Sequence, residues 1–156
     1  MRVLDASLDL LDASVAELFG IGRSDLRAME LVSRGGPATC SRLASGLNVT
    51  TGSVTALIDR MERAGYFVRR SDPTDRRKVL VDLTTGGRER ERRVFEPLAR
   101  NSIAMLQEYS DADLAMIRDF LHKSRALVEQ AVKHVQKCQR TSSRAKARTT
   151  KRGGKT

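Results

Sequence analysis

The sequence predicts a mainly α-helical protein with one small β-hairpin. Apolar residues recur at helical spacing along most of the chain, and the period changes to alternation only around Val79–Leu83. The chain has 156 residues, of which 40% are hydrophobic, so it can bury a core without disulfides or a structural metal. Two strands alone are marginally stable, and we therefore expect the hairpin to pack against neighbouring helices.

Four helices are predicted before the hairpin, from apolar stripes that begin near capping residues. They are a first helix over residues 3–19, a second capped by Ser24, a short third capped by Thr39, and a longer fourth from Thr50 to Ala64. Only Gly46 to Val49 separates the third helix from the fourth. These two helices should therefore be joined by a tight turn.

The hairpin and two further helices complete the predicted order. Strands are expected over Tyr66–Arg70 and Val79–Leu83, because residues 71–75 between them have the composition of a turn. A fifth helix should follow Thr84. A last helix should start at Ser110 and run to about Val135, with acidic residues in its first turn.

The residue types exclude several functional classes. Cys40 and Cys138 are the only cysteines, so neither a disulfide framework nor a four-ligand zinc site is expected. His122 and His134 have no cysteine or carboxylate at metal-ligand spacing. The motifs of enzymatic nucleophiles, phosphate loops and paired catalytic carboxylates do not occur. We therefore expect no metal, no cofactor and no enzymatic activity.

Membrane and export signals are also missing from the sequence. No apolar run approaches the ~18 residues of a membrane span. Residues 1–5 do not open a signal peptide. A cytoplasmic protein without a membrane partner is expected.

Positive charge is concentrated at the C-terminus. The sequence has 29 Lys+Arg against 19 Asp+Glu, a formal net charge of +10, yet no acidic residue follows Glu129. The segment 136–156 contains eight bases and no apolar pattern, so it is predicted to be a disordered basic tail. Residues 1–135 are nearly neutral. The tail is either a solubilising terminus or an electrostatic arm that contacts DNA phosphates.

The predicted order is that of a winged helix-turn-helix lobe. It consists of a short helix, a tight turn, a second helix and a basic hairpin. The outward side of the fourth helix then carries the candidate DNA contacts. Small and hydroxyl side chains can reach base edges, the helix N-terminus can hold a phosphate, and arginines can reach the DNA backbone. The candidates are Thr50, Thr51, Ser53, Thr55, Ala56, Arg60 and Arg63, and the small Gly52 would let the helix approach the bases closely. Alternatively, the Ser and Thr residues only cap and solvate a surface helix.

The hairpin carries five bases within ten residues, namely Arg69, Arg70, Arg76, Arg77 and Lys78. An arginine at a hairpin tip can enter a narrow minor groove, where the negative potential is focused. A neighbouring carboxylate can hold its guanidinium in one orientation. The alternative interpretation is a charged turn that blocks edge-to-edge pairing of strands.

Leu43-Ala44, the run from Val49 to Tyr66 and the run from Asp72 to Thr84 form a more specific pattern. Together they resemble the MarR family of bacterial winged helix-turn-helix regulators, and the order of elements matches over about residues 3–135. The resemblance implies an obligate homodimer that binds a pseudo-palindromic operator, usually as a repressor. It also implies release of the DNA when a small phenolic or anionic effector binds.

The resemblance also divides the chain and assigns roles to residues. A DNA-binding lobe of about 24–84 would lie beside dimerisation helices of about 3–19 and 88–135, in one domain over 1–135. The recognition helix would contain Thr50, Thr51, Ser53, Thr55 and Ala56. In the hairpin, Arg77 matches the wing arginine that enters the minor groove, Asp75 matches the aspartate that supports it, and Arg76 lies near phosphates at the tip.

The sequence departs from the family pattern in three ways: it begins close to the first helix, Gly86-Gly87 follow the hairpin, and the basic tail is added. Gly86-Gly87 replaces a more helix-favouring start after the hairpin, which predicts a looser joint there. Cys40 is expected to be buried and inert on the apolar face of its helix, whereas Cys138 is expected to be exposed.

The sequence thus predicts a sequence-specific, DNA-binding transcriptional regulator. Its expected partners are double-stranded DNA, a second copy of the chain and a small-molecule effector. An architectural DNA-binding protein driven by the tail is one alternative, and a winged-helix module that binds another protein is a second. A marked preference for one palindrome over bulk DNA separates the regulator from the architectural protein. The protein-binding module would tolerate changes at Arg77 or Thr55.

Overall fold

The computed structural model describes the backbone of residues 2–152 and the side chains of residues 2–138. Within these residues, six helices and one antiparallel hairpin follow one another in the predicted order. The elements are α1 (Arg2–Phe19), α2 (Arg23–Gly35), α3 (Cys40–Leu47), α4 (Thr51–Arg63), β1 (Phe67–Ser71), β2 (Val79–Leu83), α5 (Thr85–Leu106) and α6 (Asp111–Arg152).

The chain divides into two compact units, one up to Arg100 and one from Asn101. The core of the first unit collects the apolar stripes of α2, α3 and α4 with the inner residues of the hairpin. Its largest fully buried side chains include Leu26, Met29, Leu43, Ile58, Met61 and Leu83. The predicted stripes of α2, α3 and α4 therefore face the core, because residues three and four positions apart share one side of a helix. Much of the predicted stripe of α1 is instead exposed, including Leu4, Leu8 and Leu18.

The start of α2 differs from the prediction. Gly22, rather than Ser24, is the N-cap, and its N–H donates to Asp25 Oδ2 at 3.1 Å. The carboxylate of Asp25 suits the positive N-terminus of the helix. Its side chain is nevertheless only 2% exposed, so it needs further partners inside the protein.

The caps of α3 and α4 are the predicted residues. Thr39 Oγ1 accepts a hydrogen bond from the N–H of Arg42, and Thr50 Oγ1 accepts one from the N–H of Ser53, both at 3.2 Å. Between the helices, Asn48 adopts a left-handed conformation with φ of 57°, which asparagine tolerates better than most residues. A turn of only three residues, 48–50, thus connects α3 to α4.

The hairpin gains a pairing that the sequence did not predict. Phe67 pairs with Leu83 at its base, and Ser71 pairs with Val79 towards its tip. Outside the two strands, Ala38 and Val81 exchange backbone hydrogen bonds of 2.9 and 2.8 Å. This bridge and the buried side chain of Phe67 supply the support that an isolated two-stranded hairpin lacks.

The joint between the hairpin and α5 is tight rather than loose. A Cβ atom at Gly87 would lie 2.7 Å from the carbonyl oxygen of Tyr66. The N–H of Gly87 donates to Thr84 Oγ1 at 2.9 Å, and that hydroxyl donates to the carbonyl of Gly65. Gly87 therefore allows α5 to pack closely on the hairpin base, which is a role that the sequence did not predict for it.

α6 extends further than predicted, because its backbone is helical to Arg152. The sequence predicts disorder from residue 136, yet residues 136–152 continue the helix. Lys, Arg, Gln and Ala favour helices, and neither Gly nor Pro interrupts the chain between Pro97 and Gly153. The last part of the predicted tail, residues 153–156, lies outside the described residues.

Candidate nucleic-acid interface

The exposed face of α4 carries short polar side chains. Thr51, Ser53, Thr55 and Ala56 are all exposed, whereas the stripe beneath them is buried. The hydroxyl groups of Thr50 and Ser53 lie 2.9 Å apart, and Thr55 Oγ1 donates to the carbonyl of Thr51 at 3.1 Å. The sequence-predicted contacts of this helix thus share one surface that small, hydrogen-bonding groups cover.

Gly52 leaves this surface without a side chain at the N-terminal end of α4. A Cβ atom at this position would meet no heavy atom within 4 Å, so packing does not require glycine here. Glycine inside a helix costs about 0.5–1 kcal/mol of stability relative to alanine. Because Gly52 has no side chain and packing does not require glycine here, this position would allow a large partner to approach the helix closely.

A cleft of about 700 Å³ runs along the start of the same helix. Residues of α3, the turn and the first residues of α4 form its walls, and hydroxyl and amide groups share the lining with Ala44 and Val49. Its polar residues are Ser41, Ser45, Asn48, Thr50 and Thr51. Hydroxyl groups beside a positive helix N-terminus are well suited to a phosphate group.

Arg60 has a partner that the sequence did not predict. Its guanidinium lies against the buried carboxylate of Asp25, with Nε 2.9 Å from Oδ2 and Nη2 bound to Oδ1. This hydrogen bonding raises the pKa of Arg60. Half of the Arg60 side chain stays exposed, so the pair fixes the arginine at the surface instead of burying it.

The recognition-helix candidate is also tied to the hairpin. Arg69 in β1 donates to Asp59 Oδ1 at 2.6 Å and to the carboxylate of Glu62, and its backbone N–H donates to Glu62 Oε1 at 3.0 Å. The hydrogen bond to Asp59 raises the pKa of Arg69. Arg69 therefore holds β1 to α4. Arg63 is exposed and donates only to the carbonyl of Asp59 among the contacts recorded for it.

The turn of the hairpin is organised by Asp72. Its Oδ1 accepts hydrogen bonds from the N–H and the hydroxyl of Thr74 at 2.8 and 2.6 Å, and from the N–H of Asp75 at 3.3 Å. The Thr74 hydroxyl and N–H lower the pKa of Asp72. Opposite, the N–H of Asp72 donates to the carbonyl of Lys78 at 3.0 Å and closes the turn.

Arg76 and Arg77 project from this turn and are exposed. Asp75 accepts from the backbone N–H of Arg77 at 3.1 Å, and its other carboxylate oxygen lies 3.4 Å from Lys78 Nζ. In the described part of the chain, neither Arg76 nor Arg77 forms an ion pair. Asp75 thus supports the backbone of Arg77, and both guanidinium groups remain available to a partner.

Sequence analysis missed two buried carboxylates behind this surface. Besides Asp25, Asp82 in β2 is 5% exposed, and it binds the guanidinium of Arg88 and lies 3.9 Å from Arg70. The spacing of Gly22 and Asp25 was an available signal, because an acidic residue three positions after a cap reaches back to it. No comparable local signal pointed to Asp82.

The cysteines and histidines give no second site. Cys40 is half-buried against the core rather than fully buried, and Cys138 is exposed with its Sγ 3.7 Å from Nε2 of His134. Among the side chains of residues 2–138, no group of three or more His, Cys, Asp or Glu could hold a metal ion. In the same residues, no helix is long and apolar enough to cross a membrane.

Comparison with known proteins decides the family. The sequence pattern of the MarR family matches residues 21–79, from the residue before the α2 cap to the start of β2. YcgE of Bacillus subtilis (strain 168), an uncharacterized HTH-type transcriptional regulator, is 31% identical over 134 residues, which cover 86% of this chain and 87% of that protein. The chain belongs to the MarR family.

Solved structures agree with this assignment. A MarR family protein from Bacillus stearothermophilus superposes with a TM-score of 0.60 at 24% identity, covering 78% of this chain and 85% of that one. A mutant of S. aureus MepR bound to an oligodeoxyribonucleotide superposes with a TM-score of 0.55 at 17% identity, covering 81% and 94%. The winged helix-turn-helix fold is thus confirmed. As a member of the MarR family, the chain is a transcriptional regulator and not an enzyme.

Proposed function

We propose that this MarR-family regulator is a homodimeric repressor of a pseudo-palindromic operator. α4 would read the major groove with Thr50, Thr51, Ser53, Thr55 and Ala56, and Arg63 would contact the backbone. The wing, residues 67–83, would place Arg77 in the minor groove and Arg76 near phosphates. The main support is that Arg76 and Arg77 stand exposed on a hydrogen-bonded turn, without carboxylate partners in the described residues.

Each step of this proposal has a physical reason. Unpaired guanidinium groups are stabilised electrostatically beside a phosphate or in a narrow minor groove, where the negative potential is high. Short hydroxyl side chains and a flat Gly52 allow a helix to lie close to base edges. Binding to the chromosome would also place the regulator in the cytoplasm.

The proposed dimer rests on apolar side chains that the single chain leaves exposed. In α1 these are Val3, Leu4, Leu8, Leu10 and Leu18, and in α6 they are Met116, Phe120, Leu121, Leu127, Val128, Val132 and Val135. Two such helices per chain offer a larger apolar surface than a monomer usually exposes. Proteins of this family act as dimers. Light scattering during gel filtration should therefore give twice the chain mass of 17.3 kDa, and a monomer would contradict this part of the proposal.

DNA binding is tested first by fluorescence anisotropy at two salt concentrations. The probes are a duplex from the region upstream of the protein's own gene and a scrambled duplex of equal composition. A preference of about 10³-fold or more for one sequence is expected of a specific regulator. If the upstream duplex shows no preference, selection from random duplexes supplies the probe. Failure to enrich any palindrome would overturn the proposed function.

A matched pair of glycine variants tests whether α4 faces the DNA. Gly52 in α4 and Gly86 in α5 are both exposed, and neither would clash with an added Cβ atom. Gly52→Ala and Gly86→Ala should therefore both fold normally and gain a little helix stability. Only Gly52→Ala should weaken binding to the selected duplex, since only that methyl group would lie between α4 and the bases. Equal affinities for the two variants would exclude the proposed docking of α4.

Release by a small-molecule effector is the regulatory part of the proposal. It is supported by the resemblance to regulators that respond to phenolic or anionic compounds. Titrating benzoate and phenol into the protein–duplex complex, with sodium chloride at equal ionic strength as control, tests both chemistries. A fall in anisotropy beyond the salt control is the expected result, and no fall with either compound would contradict release by these two classes.

The basic tail supports a second candidate function, an architectural DNA-binding protein. Eight bases without an acidic residue can contact several phosphates independently of sequence. Deleting residues 137–156 should then flatten the salt dependence of binding. If the truncated chain keeps both its slope and its sequence preference, the tail does not drive binding and the architectural function is excluded.

A further inference from the structure

We propose that the cleft between α2 and α4 seats a phosphate of the DNA backbone, and that the buried Asp25 positions the arginine that holds it. This inference rests on the proposed function, because it assumes that α4 faces DNA. It adds α2 to the binding surface, where neither the sequence nor the resemblance had placed a contact.

The first observation is the geometry of Arg60. Asp25 accepts from its Nε and Nη2, so one edge of the guanidinium is bound and the other edge, with Nη1, is left for a ligand. Guanidinium groups carry five N–H donors in one plane, and a carboxylate on one edge directs the remaining donors outwards. Because the Arg60 side chain is 51% exposed, those donors are accessible to a phosphate.

The second observation is the shape and chemistry of the cleft beside Arg60. Its volume is about 380 Å³, and its lining combines polar groups from two helices with three apolar side chains. The polar residues are Ser24, Arg27, Ser53 and Arg60, and the apolar residues are Leu47, Val49 and Leu57. Two guanidinium groups and two hydroxyl groups around one concavity match the donors that bind a phosphate oxygen.

The charge balance favours an anion. The charged residues that line the cleft are Arg27 and Arg60, and no carboxylate among the described side chains lines it. Asp25, bound to Arg60, compensates one of these two positive charges and leaves that of Arg27. Ser53 also belongs to the exposed surface of α4, so a phosphate in the cleft would lie directly beside the proposed base-reading residues.

Asp25 does more than satisfy the fold. A buried ion pair is seldom more stabilising than a well-packed apolar pair, because both charges lose their hydration. What this pair provides is a guanidinium whose orientation is set before DNA arrives. Less side-chain freedom is then lost on binding, which strengthens the contact.

The test measures binding to the duplex that the wild-type chain selects from a random pool, by anisotropy over a range of salt concentrations. Arg60→Met and Arg27→Met should each lower the slope of log K against log salt by about 2 in a dimer, one phosphate contact being lost in each lobe. Arg23→Met is the matched control. Arg23 also lies in the first turn of α2 and is exposed, but it pairs with Asp9 of α1 and does not line the cleft.

The positioning role of Asp25 needs a double-mutant cycle. Asp25→Asn should weaken binding about three- to tenfold in the wild-type background, because Arg60 is released, and should have no effect in the Arg60→Met background. Arg60→Lys should bind the duplex more weakly than wild type despite keeping the positive charge. An ammonium group has no two fixed edges with which to bind Asp25 and a phosphate at once. The double variant also avoids an unpaired buried carboxylate, and thermal unfolding confirms that each variant is folded.

The outcomes separate this proposal from the proposed function. Slopes for Arg60→Met and Arg27→Met equal to that of Arg23→Met would overturn the phosphate seat. An equal loss from Asp25→Asn in both backgrounds would overturn the positioning role. The proposed function fails instead if the wild-type protein shows no preference among duplexes and Arg77→Ala binds them with the same affinity as wild type.

Discussion

The base and the tip of the wing carry the same residue type in opposite situations. At the base, which comprises the paired strands below the turn, Arg69 binds Asp59 and Glu62 of α4, and Arg70 lies 3.9 Å from the buried Asp82. At the tip, Arg76 and Arg77 are exposed and have no ion pair among the described residues. Arginines that are clustered in the sequence thus divide in the structure into two groups. One group is paired with carboxylates of the fold, and the other is exposed and accessible to a partner.

The carboxylates explain the division. Those at the base face guanidinium groups, whereas those at the tip are largely engaged with the backbone. Asp72 binds the N–H groups of Thr74 and Asp75, and Asp75 binds the N–H of Arg77. The tip thus has a defined backbone and free cations, and this combination lowers the conformational entropy lost when DNA binds.

The largest expected effect is on DNA binding at the tip. Arg77→Ala should reduce affinity for the selected duplex by about 10²-fold or more, since a dimer loses two arginine contacts that each contribute about 1–3 kcal/mol. Its free energy of unfolding should stay within about 0.5 kcal/mol of wild type. Arg70→Ala at the base is the control, with a similarly exposed side chain. Equal losses of affinity for both variants would remove the distinction between base and tip.

The next largest effect should be on stability at the hairpin base. In Gly87→Ala, the new methyl group would lie 2.7 Å from the backbone oxygen of Tyr66, so α5 has to shift away from the hairpin. We expect the free energy of unfolding in urea to fall by about 1–3 kcal/mol. Gly86→Ala, which meets no atom within 4 Å, should be at least as stable as wild type. A wild-type urea midpoint for Gly87→Ala would mean that the joint is looser than the contact implies.

A smaller loss is expected from the pair network between β1 and α4. Arg69→Met removes the guanidinium donors to Asp59 and Glu62 but keeps most of the aliphatic stem and the backbone N–H that donates to Glu62. The free energy of unfolding should fall by about 1–2 kcal/mol, with weaker effects on DNA affinity than Arg77→Ala. Arg63→Met serves as the control for stability, since within the described residues Arg63 donates only to a backbone carbonyl. The base–tip comparison fails if Arg69→Met costs affinity but no stability.

The smallest effect concerns the pH dependence of the tip. Hydrogen bonds from Thr74 lower the pKa of Asp72 below its ordinary value of 3.8. A lowered pKa in the folded state means that the contribution of Asp72 is present above the ordinary value and is lost as pH falls through the lower folded value. Carboxyl titration by NMR should show a midpoint below 3.8, with the Thr74 amide shift following it.

Asp72→Asn provides the control for this titration. The amide oxygen still accepts hydrogen bonds, but it does not titrate, so the Thr74 amide shift should no longer follow the pH in this range. A midpoint for wild-type Asp72 at or above 3.8 would show that the turn does not favour its charged form.

The parts of the fold that sequence predicted correctly depend on short-range rules. Thr39 and Thr50 cap α3 and α4 because each hydroxyl reaches an N–H three residues away. The buried stripe of α4 follows from helical periodicity alone. The start of α2 was misplaced because Ser24 is a residue type that often caps helices. Gly22 has no side chain that could cap, and only the carboxylate of Asp25 three residues later identifies it as the N-cap.

By itself, the sequence determined the order of the elements, the caps of α3 and α4, the buried stripes of α2, α3 and α4, and the motifs by which the family is recognised. The caps and the stripes depend on residues within a few positions of one another. Which charged residues stay free was decided only by the tertiary structure. Arg60 and Asp25 are 35 positions apart and Ala38 pairs with Val81, so folding alone brings these groups together. Charge is visible in a sequence, but its compensation depends on distance in space, because a carboxylate neutralises a guanidinium only when the two groups are in contact.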